Sequence, residues 1–172
     1  METTANKAFR YPVLSNTANV PEGISNLATD VDAACAQYES ASSTYTPSWT
    51  ASTTNPSLGN GALTGRYKRL GTAGKQIHGS VRLTIGSTTT AGVGTYAFSL
   101  PVAPHAEQGD IGTVVGAISG QWHTGRLLNA GAGAVNVIWN NGTAAAPVWL
   151  ANSPFSTASG DAYYFRVCYE AA

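Results

Sequence analysis

The side chains of this sequence that could bind a metal ion or catalyse hydrolysis are few and scattered. The three histidines are His78, His105 and His123, and none has the spacing from other ligands that zinc sites use. The carboxylates nearest to them in sequence, Glu107 and Asp110, follow a proline-bounded loop. We therefore expect isolated surface histidines and no metal, and a zinc or hydrolytic site would have to be assembled by the fold.

Nucleophile and phosphate-binding motifs are also missing. No serine stands in a Gly-x-Ser-x-Gly turn, and neither cysteine has a histidine or a basic residue beside it in the sequence. The pair Gly74 and Lys75 is similar to the end of a phosphate-binding loop. However, Arg69 occupies the place of the first glycine of that motif, and Gln76 occupies the place of its serine or threonine.

Paired carboxylates for glycoside hydrolysis would have to come from a small set. Five of the nine acidic residues fall in the first 39 positions, which leaves Glu107, Asp110, Asp161 and Glu170. Nothing in the sequence around these four marks one as a general acid. The sequence therefore predicts a protein that is not an enzyme and that holds no cofactor.

Aromatic side chains offer a better candidate for binding. Exposed aromatic rings can stack on sugar rings, so exposed Trp and Tyr side chains could contact a glycan. Large aromatic side chains also dominate cores and subunit interfaces, which is the alternative interpretation. The candidate glycan contacts are Trp122, Trp139 and Trp149, and Tyr96, Tyr163 and Tyr164 could stack on sugars together with them.

Composition limits the partners of this chain. Its 172 residues, 43% of them apolar, suffice for one well-packed domain, and only 10% are charged. A net charge of zero argues against nucleic acid as the main partner. The N-terminus lacks a basic segment leading into an apolar run, and about 18 consecutive apolar residues occur nowhere, so we expect neither secretion nor membrane insertion. Cys35 and Cys168 are then expected to be free thiols in a reducing cytoplasm.

Charge is nevertheless unevenly distributed. No Asp or Glu occurs between Ser40 and Ala106. The basic residues of that interval are Arg66, Lys68, Arg69, Lys75 and Arg82. They could be solvated strand residues, or they could form a docking patch for an acidic surface on a neighbouring subunit.

The N-terminal segment carries apolar groups that cannot form a core of their own. It is polar and irregular from Thr3 to Val20. We expect its apolar run to be buried against another protein. The candidate anchoring residues in this run are Phe9, Tyr11, Pro12 and Leu14, with Val13 between them.

A helix is predicted to begin near Pro21 and Glu22, because proline suits the first helical position and an acidic residue suits the positive end of the helix dipole. Its apolar residues recur at alternating spacings of three and four, as in the seam of a coiled coil. They are Ile24, Leu27, Val31, Ala34 and Tyr38. Two heptads leave two interpretations open, which are a self-associating helix and a single amphipathic helix packed on the domain.

The remainder of the chain reads as β-structure. The clearest strand runs from Lys75 to Gly86, where apolar and polar residues alternate. Shorter strands are predicted at 63–70, 95–100, 111–119, 134–139 and 162–169, with weaker ones at 45–51 and 148–150. About eight strands separated by turn residues predict an all-β, jelly-roll-like β-sandwich. The predicted organisation is an anchoring arm with one short helix at 1–39, a linker at 40–46 and the β-sandwich domain at 47–172.

Several segments resemble a family of actinobacteriophage virion surface proteins. The arm resembles the N-terminal attachment segment of that family over Ala5 to Pro12, Val20 to Ile24 and Leu27 to Asp32. The β domain is similar to a module of phage head and tail appendages. Its matching segments are Tyr45 to Thr50, Asn55 to Gly61, Leu63 to Tyr67, Gly86 to Thr90, Phe98 to Pro101 and Tyr169 to Ala172.

The resemblance implies a particle component, commonly trimeric, that docks by its N-terminus and projects its C-terminal domain from the virion surface. We expect a capsid decoration or head-fibre protein that binds the major capsid protein as a homotrimer. A minor tail protein or short tail fibre, bound to a tail protein and recognising a receptor, is the nearest alternative. A carbohydrate-binding module for host-surface glycans is the third.

Overall fold

The computed structural model describes residues 2–3, 10–11, 20–71, 74–140, 148–150 and 153–172. Two short strands, β1 (Glu2–Thr3) and β2 (Arg10–Tyr11), pair with each other, and helix α1 spans Val20–Glu39. Nine antiparallel strands form the rest of the described part of the chain, which confirms the all-β class with one helix. They are β3 (Ser43–Tyr45), β4 (Trp49–Ala51), β5 (Ala62–Leu70), β6 (Gln76–Thr84), β7 (Tyr96–Ser99), β8 (Asp110–Ile118), β9 (Gln121–Gly131), β10 (Ala134–Trp139) and β11 (Ala162–Glu170).

These nine strands form one continuous sheet that curls on itself. The strand order is β3-β5-β6-β11-β8-β9-β10-β7-β4, so β3 and β4 lie at opposite edges. Yet only residues 46–48 separate these two strands in sequence. Since the four residue steps from Tyr45 to Trp49 span at most about 14 Å, the two edges must lie close together. The sheet therefore curls until its two halves face each other. Phe98 of β7 meets Phe165 of β11 across the interior between these halves, with ring centroids 4.7 Å apart.

Alternation of side chains places one face of each strand in the core. In β6 the predicted pattern is confirmed, because Ile77, Val81 and Leu83 are buried while residues 78, 80 and 82 are exposed. The same alternation continues in β11, which pairs with β6 along its whole length. The outer face of the sheet is consequently polar, and any site on it is built from the residues between the core positions.

An aromatic cluster fills the centre of the domain. Trp149 lies in the middle, with its ring centroid 4.5 Å from that of Tyr163, 5.1 Å from Tyr96 and 5.5 Å from Trp139. Burial, and next to it the carboxylate of Asp161, raises the pKa of the Tyr163 hydroxyl far above its ordinary value. The Trp149 ring meets the rings of Tyr96 and Trp139 edge to face and that of Tyr163 at 41°, which gives a densely packed aromatic core.

Two glycines make the space that Trp139 occupies. A Cβ atom on Gly116 of β8 would lie 2.9 Å from the Cη2 atom of Trp139. A Cβ atom on Gly125 of β9 would lie 3.1 Å from its Cε3 atom and 2.6 Å from the carbonyl oxygen of Ile138. The sequence prediction omitted β9, although it is the longest strand, because Gly125 and its polar neighbours break the alternating pattern.

We expect Gly125→Ala to destabilise the domain by about 1–3 kcal/mol, since the added methyl group overpacks a closed interior. Gly109→Ala is the matched control, because a Cβ atom there meets nothing within 4 Å. Urea unfolding followed by tryptophan fluorescence measures both changes. Equal stability of the two variants would contradict the proposed role of Gly125.

The predicted linker at 40–46 is wrong in its second half. Ser43, Thr44 and Tyr45 form β3 and pair with Tyr67, Arg66 and Gly65 of β5. Tyr45 also packs its ring over Gly65, where a Cβ atom would lie 2.4 Å from the tyrosine Cε1 atom. Serine and threonine suggested a flexible segment, but backbone pairing with β5 orders it. Only residues 40–42 connect α1 to the sheet.

Candidate functional site

Helix α1 carries an exposed apolar stripe, which we define as Ile24, Leu27, Val31 and Tyr38. Ile24 is 64% exposed and Tyr38 is 56% exposed, and the other two are exposed as well. The less exposed positions of the helix are Gly23, Asn26, Asp30 and Ala34. The helix lies against β2 and β5. Among the predicted seam residues, only Ala34 is thus on the half-buried side, and the larger apolar side chains face solvent.

Such a stripe is suited to contact with another protein. Twenty helical residues extend for about 30 Å, and exposed apolar side chains spaced by three and four residues form the contact seam of associating helices. A single amphipathic helix packed on its own domain would bury this stripe, and α1 does not. The stripe is therefore one candidate site of this protein.

A second candidate site is a groove of about 700 Å³ on the outer face of the sheet. We call it the basic groove. Its polar lining comes from Arg66, Lys68, His78, Ser80, Arg166 and Cys168, with Ser42 and Thr113 at its margin.

Strand register assembles the basic groove from residues that are distant in sequence. Lys68 of β5 lies opposite His78 of β6, which lies opposite Cys168 of β11. Two residues farther along the same three strands, the next row of outward-facing side chains consists of Arg66, Ser80 and Arg166. Because neighbouring strands are about 4.8 Å apart, the backbones of Arg66 and Arg166 are separated by about 10 Å.

The electrostatics of the groove are strongly one-sided. Its lining includes two arginines and a lysine but no carboxylate. Across the described ranges, the one ion pair joins Arg126 to Asp110 at 2.6 Å, and neither residue lines the groove. Farther along the same face, the Arg82 guanidinium lies over the Tyr164 ring, 5.6 Å from its centroid. The groove is therefore complementary to an anionic partner.

One contact in this groove has no signal in the sequence. The Sγ atom of Cys168 lies 3.6 Å from the Nε2 atom of His78, although the residues are 90 positions apart. A thiol beside an imidazole is the first requirement of a cysteine nucleophile, but such a site also needs a group that orients the histidine. In the part of the chain that the structure describes, no three His, Cys, Asp or Glu residues are grouped for metal binding. Cys168 and His78 both line the basic groove.

The structure divides the predicted glycan contacts. Trp122, in the β8–β9 hairpin, is 70% exposed and presents a ring to solvent. The prediction is wrong for Trp139 and Trp149, which are completely buried. Trp139 occupies an inward position of β10, and the backbone of Trp149 bonds to Val137 and Tyr96, which places the indole rings in the core.

The predicted anchoring residues of the arm are only partly described. Tyr11 lies in β2, whereas Phe9, Pro12 and Leu14 lie outside the described residues.

No described helix is long and apolar enough to cross a membrane. Comparisons with protein-family models, curated protein sequences and solved structures give no match to this chain.

Proposed function

We propose that this chain is a non-enzymatic structural protein of a bacteriophage particle, a capsid decoration or head-fibre protein of the virion surface. It docks on the major capsid protein through its N-terminal segment and displays the β domain, with α1 joining three copies. One observation carries this proposal: the β domain closes its own aromatic core, while α1 leaves its apolar stripe exposed.

The energetics of the stripe support association. Full burial of a large aliphatic side chain contributes about 1.5–3 kcal/mol. Ile24, Leu27 and Val31 are 64%, 45% and 40% exposed, so burial of their remaining surface would contribute a part of that amount each and would offset part of the cost of binding. Most of the stability of a helix in a protein also comes from packing of its apolar face, and burial of the stripe would add such packing to α1. Three such helices around a common axis would bury the stripe and fix the orientation of the displayed domains.

Self-association through the stripe is tested by Leu27→Asp combined with Val31→Asp. Each change would place an unpaired charge in the helix interface, so we expect the variant to sediment as a monomer and to be lost from particles. The matched control is Thr29→Asp combined with Ala33→Asp, which adds the same charge at exposed helix positions away from the stripe. Unchanged mass of the stripe variant in analytical ultracentrifugation would refute the proposed role of the helix.

The close alternative is a minor tail protein or a short tail fibre that binds a receptor. It would use the same exposed helix, so geometry alone does not separate it from a decoration protein. Gold labelling of the chain in intact particles does so, because a decoration protein covers the head in many copies. Label confined to the tail would favour the alternative.

A glycan-binding function has one observation in its favour, the exposed ring of Trp122. A single indole platform can stack on a sugar ring. Retention of the protein on a glycan array, lost in Trp122→Ala, would support this function. Equal retention of the two proteins would exclude Trp122 as the contact.

A further inference from the structure

The chain has zero net charge, but its charges are segregated. Residues 20–65 contain four acidic residues and neither lysine nor arginine, whereas residues 66–82 contain five basic residues and no acidic one. The four acidic residues all lie in α1, and they are Glu22, Asp30, Asp32 and Glu39. An acidic helix therefore precedes a sheet whose outer face is basic.

Within one copy, the helix does not neutralise the groove. The C-terminal end of α1 is attached to it, because the Lys68 ammonium donates a hydrogen bond to the Tyr38 carbonyl oxygen. Over the ranges that are described, however, Asp32 and Glu39 form no ion pair with Arg66 or Arg166, and all four side chains are exposed. Complementary charges of the same chain thus remain available to a second copy.

We propose that the basic groove binds α1 from a second copy of this chain, through the acidic side of the helix that carries Asp32 and Glu39. Spacing supports this pairing. Asp32 and Glu39 are seven residues apart, so they lie on one side of the helix and are separated by about 10.5 Å along its axis. Arg66 and Arg166 are separated by about 10 Å across the strands. A helix that crosses β5, β6 and β11 can therefore place one carboxylate at each arginine.

This inference rests on the self-association proposed above and assigns its second surface. At 3.6 residues per turn, Asp32 and Glu39 lie roughly a third of a turn around the helix from the apolar stripe. The stripe can thus face the common axis while the acidic side faces a neighbouring sheet. A helix-to-sheet contact is heterologous, and repeated contacts of this kind close into a ring when the rotation between copies is that of a closed symmetry, as it is in a trimer.

Reversal of the groove charges tests the contact. We expect Arg66→Glu combined with Arg166→Glu to weaken self-association by about tenfold or more at low salt, because two attractive pairs become repulsive. The control, Arg69→Glu combined with Lys75→Glu, makes the same charge change at exposed residues outside the groove lining. Sedimentation of the full chain measures the mass, and circular dichroism checks that each variant is folded.

Charge exchange identifies the occupant. Asp32→Lys combined with Glu39→Lys should weaken association alone, and should restore it when added to the Arg66→Glu and Arg166→Glu changes in the same chain. Unchanged association of the groove variant would overturn the inference. Polyphosphate serves as an anionic probe of the groove. If the groove variant lost polyphosphate binding with no change in mass, the groove would be assigned to a foreign anion and the inference would also be overturned. If the stripe variant dissociates while both charge variants remain assembled, this inference fails and the proposed function stands.

Discussion

Replacing Trp139 by alanine should lower the free energy of unfolding by about 3–5 kcal/mol, the usual cost of deleting a buried indole ring. The ring is completely buried and packs edge to face against Trp149 and Phe155. Among the described residues, its Nε1 atom has no hydrogen-bond partner. Packing is therefore what the substitution removes, and Trp139→Phe should cost clearly less.

The matched control for Trp139→Ala is Trp122→Ala. Trp122 is 70% exposed, so its removal should change stability by less than about 0.5 kcal/mol. Urea denaturation, with circular dichroism as the signal, compares the two variants without relying on the fluorescence of the replaced ring. Similar denaturation midpoints would contradict the assignment of Trp139 to the core. The pair also separates stability from binding, because only Trp122 can affect glycan retention directly.

Sequence periodicity predicted most of the sheet because most strands have one buried and one exposed face. The limits of the strand predicted at Ala134 to Trp139 are those of β10, and the strand predicted from Lys75 to Gly86 contains β6. The omission of β9 has a physical cause. Its inward position at Gly125 has no side chain, since Trp139 of the neighbouring strand fills that space. Because a side chain of the neighbouring strand fills the core at this position, Gly125 gives no hydrophobic signal in the sequence.

The two candidate surfaces differed in how far sequence could predict them. The helical spacing identified the residues of the stripe, because positions three and four apart share a helix face whatever surrounds it. The basic groove depends on strand register. Arg66 could be recognised as part of a basic interval, but Arg166 and Cys168 come from the last strand and reach the groove only because β11 pairs with β6.

The position of the groove also bears on how copies joined by α1 would be organised. Only residues 40–42 separate α1 from β3, and Lys68 holds the end of the helix at the groove. The end of the helix is therefore attached to the sheet at two points, through residues 40–42 and through Lys68. If α1 joins the copies, as proposed, the orientation of each displayed domain follows from the helix, and the groove of a neighbouring copy restricts it further.

Asp161→Ala should lower the free energy of unfolding by about 3 kcal/mol, because a charged acceptor of two backbone hydrogen bonds is removed from the interior. The side chain is 4% exposed. Its Oδ1 atom accepts a bond from the Ser119 N–H at 2.9 Å, and its Oδ2 atom accepts one from the Ala158 N–H at 2.8 Å. Both N–H groups lose this acceptor in the variant. The first belongs to the tight turn between β8 and β9, where Ser119 has a φ angle of 48°.

Asp110→Ala is the control for this change, since it removes an equally charged side chain from an exposed ion pair with Arg126. Exposed pairs contribute about 0–1 kcal/mol, so its denaturation midpoint should remain near that of the parent. Asp161→Asn should fall between the two, because the amide keeps one acceptor but turns an N–H₂ group towards the second donor. If Asp161→Ala and Asp110→Ala had equal effects, the carboxylate would not be what joins the β8–β9 turn to the start of β11. The ordering of the three variants therefore tests whether the stability of the β domain depends on this one buried carboxylate.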